Sequence, residues 1–321
     1  MAPKRVRVAA GARRIVLGTR GSPLALRQAG MVAGRLKEEN PGLEVEVRQI
    51  TTAGDRILDS PLSRIGSQGL FVKEIENALL DGSVDLAVHS AKDLPTELPE
   101  GLKIAAFTTR EDPRDAFIGA AASLEEIPAG GKVGTSSLRR RSQLKSLRLD
   151  LEIIDIRGNV DTRIRKIAEL GLDGSILAAA GLKRLGREGE AAFFFSEEEM
   201  VPAVGQGIVA VEVRSGDEAV AGLVAALNSA ESEAAARAER ALMRRLEGGC
   251  QVPIGAHAIV QQDGGLVIRA YLGSLDGSRN IRDSIEGPAA VAGSLGEELA
   301  ARMYRAGGRE ILESVRGQDS S

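Results

Sequence analysis

Aromatic residues and cysteine are scarce in this chain of 321 residues. It has no tryptophan, two tyrosines, six phenylalanines and a single cysteine, Cys250. Stacking platforms for single-stranded nucleic acid are made of aromatic side chains, so such a platform is hard to build here. One cysteine cannot close an intramolecular disulfide, which favours a reducing compartment. Two histidines and one thiol leave little for a zinc site, and we predict no metal centre.

Long apolar runs and an excess of basic residues are also missing. The longest apolar runs, near 176–181 and 208–211, are far shorter than the ~20 residues needed to cross a bilayer. The formal net charge is −3, unlike that of a general nucleic-acid binder. Residues 1–14 carry five basic side chains but lack the apolar core of a secretory signal. We therefore expect a basic tail over 1–14 and a cytoplasmic protein that binds neither membranes nor nucleic acid.

From residue 15 onward, short β-branched runs alternate with helical patterns. Ser22-Pro23 should open a helix, and a half-buried strand should follow with Val45 and Val47 facing inward. A second strand–helix series begins at 132, after a polar stretch at 110–115 that is suited to a linker. This alternation predicts α/β sheets with helices on both faces. The strands and helix expected after residue 256 predict a smaller α+β domain.

The predicted domain boundaries follow from these patterns. The first α/β domain is expected to comprise 15–109 with 206–228, the second 114–201, and the C-terminal α+β domain 230–321. Ligands of open α/β sheets lie beyond the carboxyl ends of the strands. Polar loops at such ends should therefore surround one cleft between the two α/β domains, as in periplasmic binding proteins.

Positive charge is concentrated in the second α/β series. Residues 132–165 include nine basic and four acidic side chains in a chain that is acidic overall. Arg139 and Arg140 fall in the first turn of a predicted helix, where cations oppose the helix dipole. A solvated basic face is one interpretation. The other is an anion site, because arginine binds carboxylate and phosphate in a bidentate manner.

Two single residues have both a structural and a chemical interpretation. Asp93 follows a predicted buried strand and is either a capping or solvated carboxylate or a group that stabilises cations and moves protons. Cys250 follows a glycine pair at a helix end. A lone cysteine is commonly an inert core residue, but a thiol on a glycine-flanked loop is better placed to react.

Several ordered motifs together carry a family resemblance. They include Gly18-Thr19-Arg20-Gly21-Ser22-Pro23, Val88-His89-Ser90-Ala91-Lys92-Asp93, Arg110-Glu111-Asp112-Pro113-Arg114-Asp115, Gly134–Arg140, Arg157–Val160, Pro202–Gly207 and Leu246–Gly255. From about residue 15 to 255, and more loosely to the end, the chain resembles the porphobilinogen deaminases (hydroxymethylbilane synthases).

The resemblance implies a role for each matching residue. Cys250 corresponds to the position that carries a dipyrromethane cofactor through a thioether, and Asp93 to the catalytic aspartate, which also contacts that cofactor. The other cofactor-binding positions implied are Lys92, Ser136, Ser137, Arg139, Arg140, Arg163 and Arg184. The substrate-binding positions implied are Arg20, Ser22, Arg157, Arg163 and Arg184. Asp55, Arg64 and Gln68 correspond to the active-site loop, in which Arg64 and Gln68 stand where lysines are frequent.

The activity implied is a transferase reaction of tetrapyrrole and heme biosynthesis. Four porphobilinogen molecules condense head to tail with loss of ammonia on the covalent primer, and hydrolysis releases hydroxymethylbilane. Each added ring brings two carboxylates, which accounts for many arginines. The family also implies a monomer. The alternative is a cytoplasmic two-domain protein that binds a polycarboxylate anion without chemistry.

Overall fold

The computed structural model describes residues 14–56, 72–246 and 252–318. In chain order, the strands are β1 (Arg14–Thr19), β2 (Glu44–Gln49), β3 (Leu86–Ser90), β4 (Leu102–Phe107), β5 (Asp115–Gly119), β6 (Lys132–Gly134), β7 (Glu152–Ile154), β8 (Gly174–Ala178), β9 (Phe193–Phe194), β10 (Val209–Arg214), β11 (Ile254–Val260), β12 (Gly265–Gly273) and β13 (Asn280–Pro288).

The helices are α1 (Pro23–Glu39), α2 (Ala53–Arg56), α3 (Lys73–Leu80), α4 (Leu138–Leu147), α5 (Val160–Glu169), α6 (Ala179–Arg184), α7 (Glu218–Val224), α8 (Ala230–Arg245), α9 (Ala292–Met303) and α10 (Arg309–Gln318). Short 3₁₀ turns lie at Ala91–Asp93, Glu188–Glu190, Ala225–Leu227 and Ala289–Val291. None of the helices in the described ranges is long and apolar enough to span a membrane.

The described residues form two compact units. The first comprises 14–56, 72–109 and 208–233, and the second comprises 110–207, 234–246 and 252–318. The first unit contains a five-stranded sheet in the order β2-β1-β3-β10-β4. Strands β1, β2 and β3 are parallel, and β10 is antiparallel to β3 and β4. Because β1 and β3 are parallel and in register, the loops that follow them leave the same edge of the sheet.

The start of α1 follows from its sequence. Ser22 is the N-cap, and its side chain accepts a hydrogen bond from the Ala25 backbone N–H at 3.3 Å. Pro23 occupies the first turn, where a missing N–H costs nothing. Val45 packs against the core of this unit as predicted, whereas Val47 is 40% exposed, more than the predicted pattern implies. Strand β2 lies at the edge of the sheet, where no other strand of the described ranges pairs with its outer side.

The second unit contains a sheet with the same pattern of strand directions. Its order is β7-β6-β8-β5-β9, with β6, β7 and β8 parallel and β5 antiparallel to β8 and β9. The prediction of a linker over 110–115 is wrong at its C-terminal end, where a strand begins. Asp115 begins β5 and is fully buried. The carboxylate of Asp115 forms ion pairs with buried arginines of the same unit. A polar residue at this position of the sequence is therefore buried.

The C-terminal part of the second unit is an antiparallel sheet, β11-β12-β13. Its apolar core joins this sheet to the helices through Leu242 of α8, Leu299 of α9 and Leu312 of α10. The predicted fold class, α/β with a small C-terminal α+β part, is therefore confirmed.

Candidate active site

Asp93 lies at the carboxyl edge of the first sheet. It ends the 3₁₀ turn Ala91–Asp93, which follows β3 directly, and it is exposed. A small cavity of about 50 Å³ is lined by Asp93 together with Arg20, Ser22 and His89, among others. Ser22 and Arg20 belong to the loop between β1 and α1. The structure therefore brings three of the predicted site residues of this unit around one cavity.

Arg20 also binds a carboxylate of its own unit. Its Nη2 donates to Asp55 Oδ1 at 2.5 Å, and its Nε donates to the same oxygen at 3.2 Å. Thr52 Oγ1 donates to Asp55 Oδ2 at 2.8 Å. Burial by itself would raise the pKa of Asp55, but hydrogen bonds from Arg20 and Thr52 outweigh it and hold the pKa below its usual value. Asp55 lies in α2, which follows β2, so it belongs to the same sheet edge.

The predicted residues of the second unit follow its three parallel strands. After β6 come Ser136, Ser137, Arg139 and Arg140; after β7 come Arg157 and Arg163; and after β8 comes Arg184. The carboxyl ends of parallel strands lie at one edge of a sheet. This topology gathers side chains from three separate stretches of sequence at that edge.

Arg139 and Arg140 both bind Asp115. Arg139 Nη1 donates to Asp115 Oδ2 at 2.7 Å, and Arg140 Nη2 donates to Asp115 Oδ1 at 2.7 Å. Each arginine side chain is 6% exposed and the aspartate is fully buried. Burial by itself would raise the pKa of Asp115, but the two positive charges hold it well below its usual range. The protein itself thus supplies an anion, the Asp115 carboxylate, to the two arginines in the first turn of α4.

Arg139 keeps donor capacity beyond this ion pair. Its Nη1 also donates to the Val201 carbonyl at 2.7 Å, and its buried Nε has no hydrogen-bond partner among the described residues. A buried guanidinium donor without an acceptor costs free energy, so a ligand oxygen would be favourable there.

The two serines shape the loop before α4. Ser136 Oγ donates to the Ile156 carbonyl at 2.9 Å, which ties this loop to the end of β7. Ser137 is the N-cap of α4 and accepts a hydrogen bond from the Arg140 backbone N–H at 3.4 Å. Ser136 and Ser137 are both half-buried, next to the buried ion pair.

A glycine sets the path of the chain after β7. Gly158 has φ +122°, and a Cβ there would lie 2.4 Å from Thr162 Cγ2. The Gly158 carbonyl accepts a hydrogen bond from Arg163 Nε at 2.8 Å. Only glycine therefore allows this turn, which places Arg157 and Arg163 on either side of it.

Arg157 and Arg184 complete the cationic edge. Arg157 is half-buried, and its Nη2 is buried without a hydrogen-bond partner among the described residues. Arg184 Nη2 donates to the Gly207 carbonyl at 2.6 Å. Burial lowers the pKa of Arg184, while the charge of Glu111 acts in the opposite direction. Half-buried guanidinium groups of this kind suit ligand carboxylates.

Three predicted site residues, Cys250, Arg64 and Gln68, lie outside the described residues. Among those that are described, no cluster of three or more histidine and acidic side chains could hold a metal ion. Sequence reasoning missed Asp115, whose only signal is its place directly before the apolar run Ala116–Ile118. It also missed Glu76 and Glu212, two buried acids whose signal is their position within apolar segments.

Comparison with known proteins places the chain in a family. Residues 15–222 match the model described as "Porphobilinogen deaminase, dipyromethane cofactor binding domain", and residues 234–305 match the C-terminal domain of the same family. The porphobilinogen deaminase of Trichlorobacter lovleyi is 50% identical over 98% of this chain and 98% of its own. That of Pelobacter propionicus is 51% identical over 94% of this chain and 97% of its own. A TRAP periplasmic solute binding protein from Desulfovibrio salexigens, of known structure, is 12% identical over 68% of this chain and 73% of its own, with a TM-score of 0.41.

The two α/β sheets, each with polar and cationic side chains at its carboxyl edge, define an α/β protein suited to anionic ligands. The chain belongs to the porphobilinogen deaminase family, a family of transferases also called hydroxymethylbilane synthases. The family resemblance noted in the sequence is confirmed. The matches do not favour the alternative of a polycarboxylate-binding protein without chemistry.

Proposed function

We propose that this chain condenses four porphobilinogen molecules head to tail, with loss of ammonia, and releases hydroxymethylbilane by hydrolysis. The observation that carries the proposal is the gathering of arginines at one edge of the second sheet, where Arg157 Nη2 and Arg139 Nε are buried without acceptors among the described residues. Pyrrole acetate and propionate groups are carboxylates, and guanidinium groups are their best partners in proteins.

The same donors fit the dipyrromethane cofactor, whose rings bear the same two kinds of carboxylate. Ser136, Ser137, Arg139, Arg140, Arg163 and Arg184 would hold its side chains, with Lys92 and Asp93 as further contacts and Cys250 as the covalent anchor. When bound, the cofactor supplies the pyrrole carbon on which the chain of rings is built. Arg20, Ser22 and Arg157, with Arg163 and Arg184, would bind the carboxylates of incoming substrate.

Asp93 is the residue that we assign to the chemistry. Loss of ammonia from porphobilinogen leaves a cation that is delocalised over the pyrrole ring. An ionised carboxylate next to the pyrrole N–H stabilises that charge and guides proton movement. Asp93 is exposed at the sheet edge, so its carboxylate is accessible to substrate.

Arg20 and Asp55 are assigned to substrate admission. The guanidinium of Arg20 is engaged by Asp55, so an incoming carboxylate must share or replace that contact. Arg64 and Gln68 are assigned to the same active-site loop as Asp55.

We also propose that the chain divides into a first α/β domain of 15–109 with 206–228, a second α/β domain of 114–201 and a C-terminal domain of 230–321. We further propose that the protein is a monomer and that it is located in the cytoplasm.

The test is incubation of the purified protein with porphobilinogen, following ammonia release and uroporphyrin formation after oxidation. Intact mass under denaturing conditions should exceed the chain mass by one dipyrromethane. Cys250→Ser should remain soluble, show the unmodified mass and have no activity. Full turnover by Cys250→Ser would refute the assignment, and an unmodified wild-type mass without ammonia release would favour the binding-protein alternative.

A further inference from the structure

Two buried acids, Glu76 and Glu212, and a buried histidine, His89, interact electrostatically inside the first unit. His89 and Glu76 are each 5% exposed, and Glu212 is fully buried. His89 Nε2 lies 3.1 Å from Glu212 Oε2, within hydrogen-bond distance. Buried ionisable groups are costly unless they are paired, so three of them together call for an explanation.

The pairing of β3 with β10 explains why His89 and Glu212 are neighbours. Strand β10 runs antiparallel to β3, with Ala210 opposite His89 and Glu212 opposite Ala87. Glu212 is therefore two residues from the partner of His89, on the same face of the sheet, where diagonal neighbours can touch. Helix α3 packs against both strands through Ile75 and Leu79, which form an apolar cluster with Ala87. Glu76 lies next to Ile75 on this helix.

Hydrogen bonding in the cluster is incomplete. Glu76 Oε1 and Glu212 Oε1 are both buried without a hydrogen-bond partner among the described residues. Burial and the negative charge of Glu212 raise the pKa of Glu76 to about 6, with His89 acting in the opposite direction. A buried carboxyl with a pKa raised in this way is a feature of many sites of proton transfer.

Other charged groups on the packed elements are engaged elsewhere or exposed. On the strands, Arg14 pairs with Glu46, Lys103 with Glu218 and Arg214 with Asp217. On α3 itself, Lys73 is exposed and Glu74 accepts a hydrogen bond from the Ala53 backbone N–H. The charges that act on Glu76 are therefore those of Glu212 and His89.

Within the part of the chain that the structure describes, His89 connects the cluster to the proposed site. His89 lines the same cavity as Asp93, Arg20 and Ser22, and it precedes the turn that carries Asp93. Glu76 and Glu212 are not among the residues that line that cavity, whereas His89, which lies 3.1 Å from Glu212 Oε2, is.

We propose that Glu76, Glu212 and His89 form a buried proton-exchange cluster that serves the cavity beside Asp93 through the imidazole of His89. The proposal rests on the proposed function. In each condensation, a pyrrole carbon loses one proton and the departing ammonia takes up one. A cluster that accepts the first proton and returns one to the site is back in its starting state after each cycle. Glu76 and Glu212 are thus positioning residues that act through His89.

The first test needs no activity. Infrared spectra of the full-length protein, recorded from about pH 4.5 to about pH 8, report the C=O band of protonated carboxyl groups. We expect one buried carboxyl to lose this band near pH 6 and expect that band to be missing in Glu76→Gln. In Glu212→Gln, the midpoint pH at which the Glu76 carboxyl band disappears should fall, because the neighbouring negative charge of Glu212 is gone. A wild-type spectrum with no carboxyl titrating above the range of ordinary glutamates would overturn the proposal.

The second test measures kcat and KM for porphobilinogen across the same pH range. Glu76→Gln should lower kcat roughly tenfold or more, with KM unchanged, and remove the part of the pH profile near 6, since proton transfer typically contributes 10²–10⁴-fold. Glu76→Asp should restore part of the rate, and Glu218→Gln on the exposed face of α7 is the control. A Glu76→Gln profile that superimposes on that of the wild type contradicts the proposal. A wild type without turnover contradicts the proposed function instead, and the infrared titration still decides the cluster.

Discussion

Asp115 Oδ1 accepts a hydrogen bond from Arg140 Nη2 at 2.7 Å, although 25 positions separate the two residues in the sequence. The other oxygen of the same carboxylate binds Arg139. One buried acid therefore orients both arginines of the first turn of α4, which are proposed to hold the cofactor. Its neighbour Gln206 also donates to Asp115 Oδ1, at 2.9 Å.

Replacement of this acid should be costly. Asp115→Asn leaves two buried guanidinium groups with a neutral partner, so the free energy of unfolding should fall by about 3–5 kcal/mol. Urea denaturation measures the loss. Asp112→Asn is the matched control from the same motif, because its ion pair with Arg114 is partly exposed and should be worth under about 1 kcal/mol. Equal effects of the two substitutions would contradict the role given to Asp115.

Arg157 should contribute to binding through its geometry as well as its charge. Arg157→Lys keeps the positive charge but loses the planar donor set, including the buried Nη2. We expect KM for porphobilinogen to rise roughly tenfold or more, the value of a hydrogen bond to a charged group, with a smaller change in kcat. Steady-state kinetics measure both constants. Arg165→Lys on the exposed face of α5 is the control, and an unchanged KM for Arg157→Lys would remove Arg157 from the binding set.

Replacement of Asp93 should lower the activity of the protein while leaving its stability nearly unchanged. Asp93→Asn removes an exposed carboxylate, so the free energy of unfolding should change by less than about 0.5 kcal/mol. Its turnover of porphobilinogen should nevertheless fall roughly 10²-fold or more, because the neutral amide cannot stabilise a cation or take up a proton. Ammonia release and thermal denaturation give the two quantities. The exposed Glu97→Gln serves as control, and near-normal turnover by Asp93→Asn would exclude the catalytic assignment.

Glu76 should also affect how stability depends on pH. Its pKa is raised from 4.5 to about 6, so between these values the folded state binds more protons than the unfolded state. The contribution of Glu76 to the free energy of unfolding therefore falls as the pH rises through this window. Relative to wild type, Glu76→Gln should gain on the order of 1–2 kcal/mol between pH 4.5 and about pH 7. Denaturation at several pH values measures this difference, and a constant offset would show that Glu76 titrates normally.

Local signals predicted many elements well. The helix expected to open at Ser22-Pro23 does so, because a serine N-cap and a proline in the first turn act within a few residues. The second strand–helix series predicted to begin at 132 does so with β6, and the predicted helix that carries Arg139 and Arg140 is α4. The prediction missed β5, where Asp115 at the head of an apolar strand resembled part of a linker.

The sequence by itself determined the family, the alternation of strands and helices, and the loops that carry Arg20, Asp93 and Arg157. Motifs and caps are short-range properties, so they can be recognised without the fold. Only the tertiary structure decided the partners of the buried charges. Asp115 meets Arg139 and Arg140, and His89 meets Glu212 from 123 positions away, because sheet pairing brings distant strands together. A buried charge is stable only beside its counterpart, and no local pattern specifies which distant residue that is.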